Sequence, residues 1–217
     1  MEEIILIDKP EGMSSFGVVA RVRRKLRDRE GKKVKVGHTG TLDPFATGLL
    51  ILLAGRATKK SDEFLKNDKE YEATVLLGKT SATGDIEGEI TKTSDKVPTL
   101  DEIKIVLEKL TGEIDQKVPA FSAVKINGKR AYQLAREGKE VETPTRKVTV
   151  YKIEILDYTY PELKIKTHVS SGTYIRTLGE DIGKLLGTGA YLTTLRRTKI
   201  ADYSVDDAIP LDEYMNK

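Results

Sequence analysis

Lys147–Val169 reads KVTVYKIEILDYTYPELKIKTHV. In its second half Leu163, Ile165, Thr167 and Val169 alternate with Lys164, Lys166 and His168, the period-two pattern of a strand with one buried face. Lys147–Leu156 reads as its partner, and the turn at Pro161 makes the two a strand pair. His168 falls on the polar face and is expected to be exposed. Upstream, Tyr71, Ala73, Val75 and Leu77 alternate in the same way within Glu70–Leu77, whereas Gly78–Gly88 reads as a loop. Ile4–Ile7 is a short apolar run stopped by Asp8-Lys9-Pro10-Glu11-Gly12, which reads as a buried strand entering a turn.

Helical patterns sit between these strands. Ser14 or Ser15 caps a helix to about Arg29, with Val18, Val19, Val22 and Leu26 on one face and Arg21, Arg23, Arg24 and Arg27 on the other. Thr99 caps a second helix, carrying Ile103, Val106, Leu107 and Leu110 and ending at Gly112. A third presents Ile175, Leu178, Ile182 and Leu185 and stops at Gly187-Thr188-Gly189. Strands and helices mix without a regular β-α-β rhythm. That favours an α+β fold, a mixed sheet flanked by helices, over a doubly wound parallel one.

The chain of 217 residues is 38% hydrophobic and 33% charged with seven prolines, which suits one packed catalytic-size domain over residues 1–217. It has no cysteine and two histidines, so disulfides, thiolate nucleophiles and cysteine-based metal sites are excluded, and too few soft ligands remain for a typical zinc or copper site. The longest apolar run, Leu49–Ala54, is far too short to span a membrane. Glu2 and Glu3 precede the first apolar run, so no secretory signal is expected and cytoplasm is the default location.

Charge is segregated along the chain. Residues 21–35 carry nine basic and two acidic side chains, and residues 117–147 are basic too, while residues 61–116 are acidic. Basic blocks folded onto one face would bind a polyanion; an unevenly charged solvated surface is the plainer alternative. Residues 117–147, with the turn at Asn127-Gly128 and a short helix near Ala131–Arg136, read as a basic insertion too small to bury its own core.

The densest segment is Gly37-His38-Thr39-Gly40-Thr41-Leu42-Asp43-Pro44-Phe45-Ala46-Thr47-Gly48, a tight loop holding an imidazole and a carboxylate. By itself Asp43-Pro44 reads as an ordinary helix start, with Asp as cap and Pro in the first turn. Catalysis is the second reading.

This loop, with Lys9-Pro10 and Gly12-Met13-Ser14-Ser15, resembles the first motifs of the TruB-type tRNA pseudouridine synthases. The resemblance continues through Gly55–Lys59, Lys69-Glu70-Tyr71, Pro119–Lys125 with Gly128 and Tyr132, Gly172–Leu178 and Gly189–Arg197, in order along nearly the whole chain. It implies the pseudouridine synthase fold, α+β with a mixed and largely antiparallel central sheet flanked by helices. It also implies a reaction that detaches uracil from ribose in RNA, rotates it and rejoins it through carbon, without metal or cofactor. A carboxylate must then stand beside the sugar–base bond, as nucleophile at sugar or base or as an aid to glycal formation. The family's catalytic Asp falls on Asp43, which a helix N-terminus would hold ionised.

The resemblance further assigns Arg176 as the guanidinium that orients Asp43, and Tyr71 as the ring that stacks on the base. Tyr174 and Leu195 become pocket walls, and His38 a contact to the displaced nucleotide. Lys9 and Pro10 brace the loop. The target must be flipped from its stack, and the T-loop of tRNA at position 55 is the implied place. Phosphate contacts are expected from Arg21, Arg23, Arg24 and Arg27 on the first helix, Lys125, Lys129 and Arg130 on the insertion, and Arg196 and Arg197. The partner is the tRNA T-stem-loop, met by a monomer, and no membrane is involved. The further C-terminal RNA-binding domain usual in the family is not expected here, since the chain stops soon after its last motif. Two other functions compete: a subunit of an RNA-guided pseudouridine synthase, disfavoured by the insertion, and a non-catalytic RNA-folding module.

Overall fold

The computed structural model describes residues 1–126, 128–138 and 141–217. Along the chain come β1 (Glu2–Lys9), α1 (Ser15–Glu30), β2 (Val36–His38), β3 (Thr47–Gly55), α2 (Ser61–Leu65) and β4 (Lys69–Leu77). Then follow β5 (Lys79–Ser81), β6 (Ile90–Lys92), α3 (Leu100–Lys109), β7 (Gly112–Lys117), β8 (Lys125–Ile126), β9 (Lys129–Arg130) and α4 (Ala131–Arg136). The last elements are β10 (Thr145–Thr159), β11 (Glu162–Val169), α5 (Ile175–Leu186), β12 (Ala190–Ile200), β13 (Tyr203–Ser204), β14 (Ile209–Pro210) and α6 (Leu211–Asn216). The chain forms two compact units, Met1–Glu72 with Thr194–Lys217, and Ala73–Thr193.

In the first unit β1 and β3 pair antiparallel from Glu2↔Gly55 to Lys9↔Gly48. β14 lies parallel to β1, and β12 meets β3 in parallel through Arg196↔Thr47 and Arg197↔Gly48. β3 is buried on both faces, which is why Leu49–Ala54 is apolar without alternation. Leu50 and Leu52 pack with Val18, Val19, Val22 and Leu26 of α1, and Leu49, Ile51 and Leu53 with Phe64 and Ile200. α1 begins where the Ser14 side chain accepts the Gly17 N–H, and ends at Gly31, whose φ of 66° is the left-handed turn glycine permits. Ile4 is 41% exposed, so β1 is a half-buried strand; only Ile5 and Ile7 point into this core.

In the second unit β10 and β11 form the expected hairpin, in register from Val150↔Val169 to Thr159↔Glu162, and β7 pairs antiparallel with β10. Thr99 and Glu102 close a capping box at the start of α3, which ends at Leu110. Three expectations need correcting here. Gly78–Gly88 is not all loop: β5 pairs with β6, a polar hairpin with no apolar alternation to betray it. On α5 the buried position is Leu186, while Leu185 is 49% exposed. At about 100° per residue Leu186 returns to the line of Ile175 and Ile182, and Leu185 falls to its edge. His168 is half-buried, its ring 4.7 Å from that of Tyr151.

The basic insertion is closed at its base by Val118 N–H donating to Pro144 O at 3.0 Å, and contains β8, β9 and α4. Lys125, Lys129 and Arg130 are exposed on it. Asn127 of the expected turn lies outside the described residues. Each unit thus has strands that pair mainly antiparallel, flanked by helices. Among the described residues no helix is long and apolar enough to cross a membrane.

Candidate active site

Asp43 sits in the first unit on the connection from β2 to β3, half-buried. The expected helix does not form. Ala46 N–H donates to Asp43 O at 3.1 Å, closing a tight turn with Pro44 and Phe45 at its corner. β3 starts at Thr47, so no length remains for a helical turn, and no helix dipole acts on the carboxylate there.

The loop is anchored residue by residue. The buried Ser15 Oγ accepts the Leu42 N–H at 2.8 Å and donates to Leu42 O at 2.9 Å, gripping both polar groups of the residue before Asp43. Pro44 O, on the residue after it, accepts from Gly12 N–H at 2.8 Å and from Lys9 Nζ at 3.1 Å. Lys9 is fully buried, and its ammonium also donates to Pro10 O at 2.9 Å and Met13 O at 2.5 Å. One buried cation therefore ties the Pro10–Met13 turn to the Asp43 loop.

Arg197, expected on the surface as a phosphate contact, is instead 1% exposed. Its Nε donates to Leu49 O at 2.8 Å and its Nη2 to Gly40 O at 3.0 Å. Arg196, the next residue on β12, points to the opposite side and makes a two-pronged pair with Asp8 at 3.0 and 2.7 Å. His38 opens the loop with Nδ1 accepting the Gly40 N–H at 3.3 Å, which leaves the ring proton on Nε2. Burial, and then the charge of Arg197, push its pKa below the usual value, so it is neutral at pH 7. Lys69 lies buried beside the same loop, donating to Asn67 O and Leu65 O; burial, and then Arg197, bring its pKa down to about 8. Tyr71 on β4 and Leu195 on β12 are buried.

Arg176 and Tyr174 belong to the second unit, so Asp43 and Arg176 fall in different units. Arg176 is 5% exposed, unlike an ordinary first-turn arginine. Its guanidinium donates to Thr83 O at 2.7 Å and Phe121 O at 2.8 Å, and stands 3.4 Å from the buried Asp85 carboxylate. Asp85 in turn accepts from Thr83 Oγ1 and from Glu87 N–H. Glu180 lies near; its pKa is raised by burial, against the pull of Arg176. Tyr174 is held at its backbone by Gln116, whose amide oxygen accepts the Tyr174 N–H at 2.7 Å and whose amide nitrogen donates to Tyr174 O at 3.0 Å. The ring of Tyr174 lies under the Arg146 guanidinium at 5.4 Å.

Sequence reasoning missed Ser15, Asp85 and Gln116 in these roles. Asp85 carried only the signal of a carboxylate within the Gly78–Gly88 stretch. Ser15 was visible as a helix-cap alternative and as a member of the Gly12–Ser15 motif, not as the anchor of Leu42, and Gln116 carried no signal.

Arg21, Arg23, Arg24 and Arg27 are exposed along the outer face of α1. Arg21 and Arg24 line an open groove of about 830 Å³ with Asp212, Met215 and Asn216 of α6.

A family model described as TruB family pseudouridylate synthase (N terminal domain) matches residues 23–175. Another, tRNA pseudouridylate synthase B C-terminal domain, matches residues 176–216. The chain is 46% identical to the tRNA pseudouridine synthase B of Aquifex aeolicus, over 100% of this chain and 74% of that protein. It is 43% identical to the protein of the same name from Phocaeicola vulgatus, over 98% of this chain and 91% of that one. Among solved structures it is similar to a chain of a Cbf5–Nop10–Gar1 complex, at 31% identity and a TM-score of 0.74 over 98% of this chain. It spans about half of that chain, 53%.

Proposed function

Because this chain belongs to the TruB family of pseudouridylate synthases, we propose that it isomerises uridine to pseudouridine at position 55 in the T-loop of tRNA, with Asp43 as the reacting carboxylate. It does so as a cytoplasmic monomer. Relatives at 43% and 46% identity carry the name tRNA pseudouridine synthase B, which favours tRNA over service in a multiprotein complex. The observation that carries the assignment of Asp43 is its scaffold. The backbone before it is gripped at both polar groups by Ser15, and the backbone after it by Lys9 and Gly12. A carboxylate on so fixed a loop is pre-aimed, which is what attack beside a glycosidic bond requires.

The other residues take supporting parts. Neutral His38 offers an Nε2–H donor to the displaced nucleotide. In the second unit Arg176, held by carbonyls and Asp85, keeps a fixed guanidinium for the substrate, with Tyr174 two residues before it; in the first unit Tyr71 and Leu195 are the side chains for the base. A T-loop is already bent and partly unstacked, which lowers the cost of extruding its uridine. Arg21, Arg23, Arg24 and Arg27 of α1, Lys125, Lys129 and Arg130 of the insertion, and Arg196 meet phosphates.

The test is an unmodified tRNA transcript incubated with enzyme, with pseudouridine mapped by position. Wild type is expected to modify the T-loop uridine, and Asp43→Asn to abolish isomerisation while still binding the transcript. An active Asp43→Asn variant removes the carboxylate assignment. Modification elsewhere in the tRNA removes the T-loop assignment.

A further inference from the structure

Burying a guanidinium costs several kcal/mol unless its donors are well placed, so a buried arginine is informative about what it holds. Arg197 is buried and makes no ion pair among the described residues; its guanidinium donates to the carbonyls of Gly40 and Leu49. Those two carbonyls stand on either side of Asp43 in the chain. One belongs to the run that leaves β2, the other to the second turn of pairing in β3. A single planar fork joins both flanks of the segment 41–48.

The backbone of Arg197 is part of the same contact. Its amide and carbonyl lie so close to Gly48 that a Cβ there would sit 2.3 Å from Arg197 O, and Gly48 has a φ of 102° that glycine alone tolerates well. Gly40, at φ 139°, also leaves room: a Cβ there would be 3.5 Å from the Arg197 guanidinium and 3.7 Å from Lys69 Cε. Within this neck, Ser15 fixes Leu42 by two hydrogen bonds from one oxygen.

We propose that Arg197 and Ser15 are positioning residues for the isomerisation: Arg197 clamps the two flanks of the Asp43 loop, Ser15 locks the residue before it, and together they set the direction of the carboxylate. This rests on Asp43 being the reacting group. Neither side chain touches the reacting atoms; both act through the backbone. Lysine replaces the fork only in part, because it keeps the charge but not the planar guanidinium whose two donors, Nε and Nη2, are set at a fixed spacing.

The experiment measures single-turnover rate and RNA affinity separately, for wild type, Arg197→Gln, Arg197→Lys and Ser15→Ala, well below each variant's melting temperature. A misplaced reacting group of the order of 1 Å costs about 100-fold in rate. Arg197→Gln is expected to lose about that, with RNA affinity within about twofold of wild type and Arg197→Lys between the two. Ser15→Ala removes one buried oxygen and keeps the fold testable if Arg197→Gln unfolds; it is expected to lose about 10-fold in rate at unchanged affinity. His38 reports the neck directly. In Arg197→Gln its NMR titration midpoint should rise, since burial still depresses it but the neighbouring charge no longer does. A merely structural role would lower the melting temperature while folded Arg197→Gln and Ser15→Ala kept wild-type rates, and that result overturns the proposal. Asp43→Asn is run alongside. If it is inactive while these variants keep full rates, the clamp alone is wrong; if it is active, the carboxylate assignment fails as well.

Discussion

Replacing Lys9 by Met keeps most of the side chain's volume and deletes one ammonium, which is fully buried and donates to three carbonyls. Pro44 O keeps a partner in the Gly12 N–H, so the loss concentrates on Pro10 O and Met13 O. Met13 is half-buried and Pro10 exposed; a carbonyl that loses a charged donor in partly buried surroundings costs up to about 1–3 kcal/mol. Removing a buried charge also removes its desolvation cost, which returns part of the loss. A net destabilisation of about 2–4 kcal/mol follows, against a total of about 5–15 for a typical domain. For a chain of this size each kcal/mol moves the melting temperature by about 2–4 °C, so Lys9→Met should melt roughly 5–15 °C lower. Calorimetry or circular dichroism at fixed pH measures it. Reaction rate taken below both melting points shows whether the loosened Pro44 also misplaces Asp43. A change under about 2 °C refutes the inference that this ammonium binds the two turns together.

Reversing Arg23 and Arg24 to Glu should weaken RNA binding and make the slope of log affinity against log salt shallower by roughly 1.5, if each meets a phosphate; unchanged affinity would return α1 to being a solvated face. Lys69 has a folded pKa of about 8 against an ordinary 10.5. In that window the unfolded chain binds more protons at this site, so Lys69 makes stability rise with pH. Thermal melts at about pH 7.5 and about pH 9.5 should show that rise shrinking in Lys69→Met, and an identical pH dependence in both proteins would remove the assignment. Asp85→Asn leaves the buried Arg176 without its carboxylate and should destabilise by about 3 kcal/mol in urea unfolding, because breaking a buried pair leaves one charge uncompensated. A loss below about 1 kcal/mol would mean that the contacts of the guanidinium other than Asp85 suffice to hold it.

Much of the architecture was legible because its causes are local. The alternation in Leu163–Val169, the stripe of Val18, Val19, Val22 and Leu26, and the capping box at Thr99 depend on neighbours within one turn or one pleat. The motifs around Asp43, Tyr71, Arg176 and Leu195 were legible as strings, and resemblance attached roles to them.

Other features required the assembled chain. Asp43-Pro44 has the chemistry of a helix start, but a buried strand pairing with β1 begins four residues later, and that pairing decides for a turn. Arg196 and Arg197 are the same residue type side by side; β12 sends one to Asp8 and the other into the core, since successive strand residues face opposite ways. The polar hairpin of β5 and β6 shows no periodicity because neither of its strands is a core-facing element. Local pattern determined which segments were helix or strand. Which cations were buried, and which carbonyls they held around the reactive loop, was decided only by tertiary contact, over 35 positions for Lys9 and Pro44 and over 148 and 157 for Arg197 with Leu49 and Gly40.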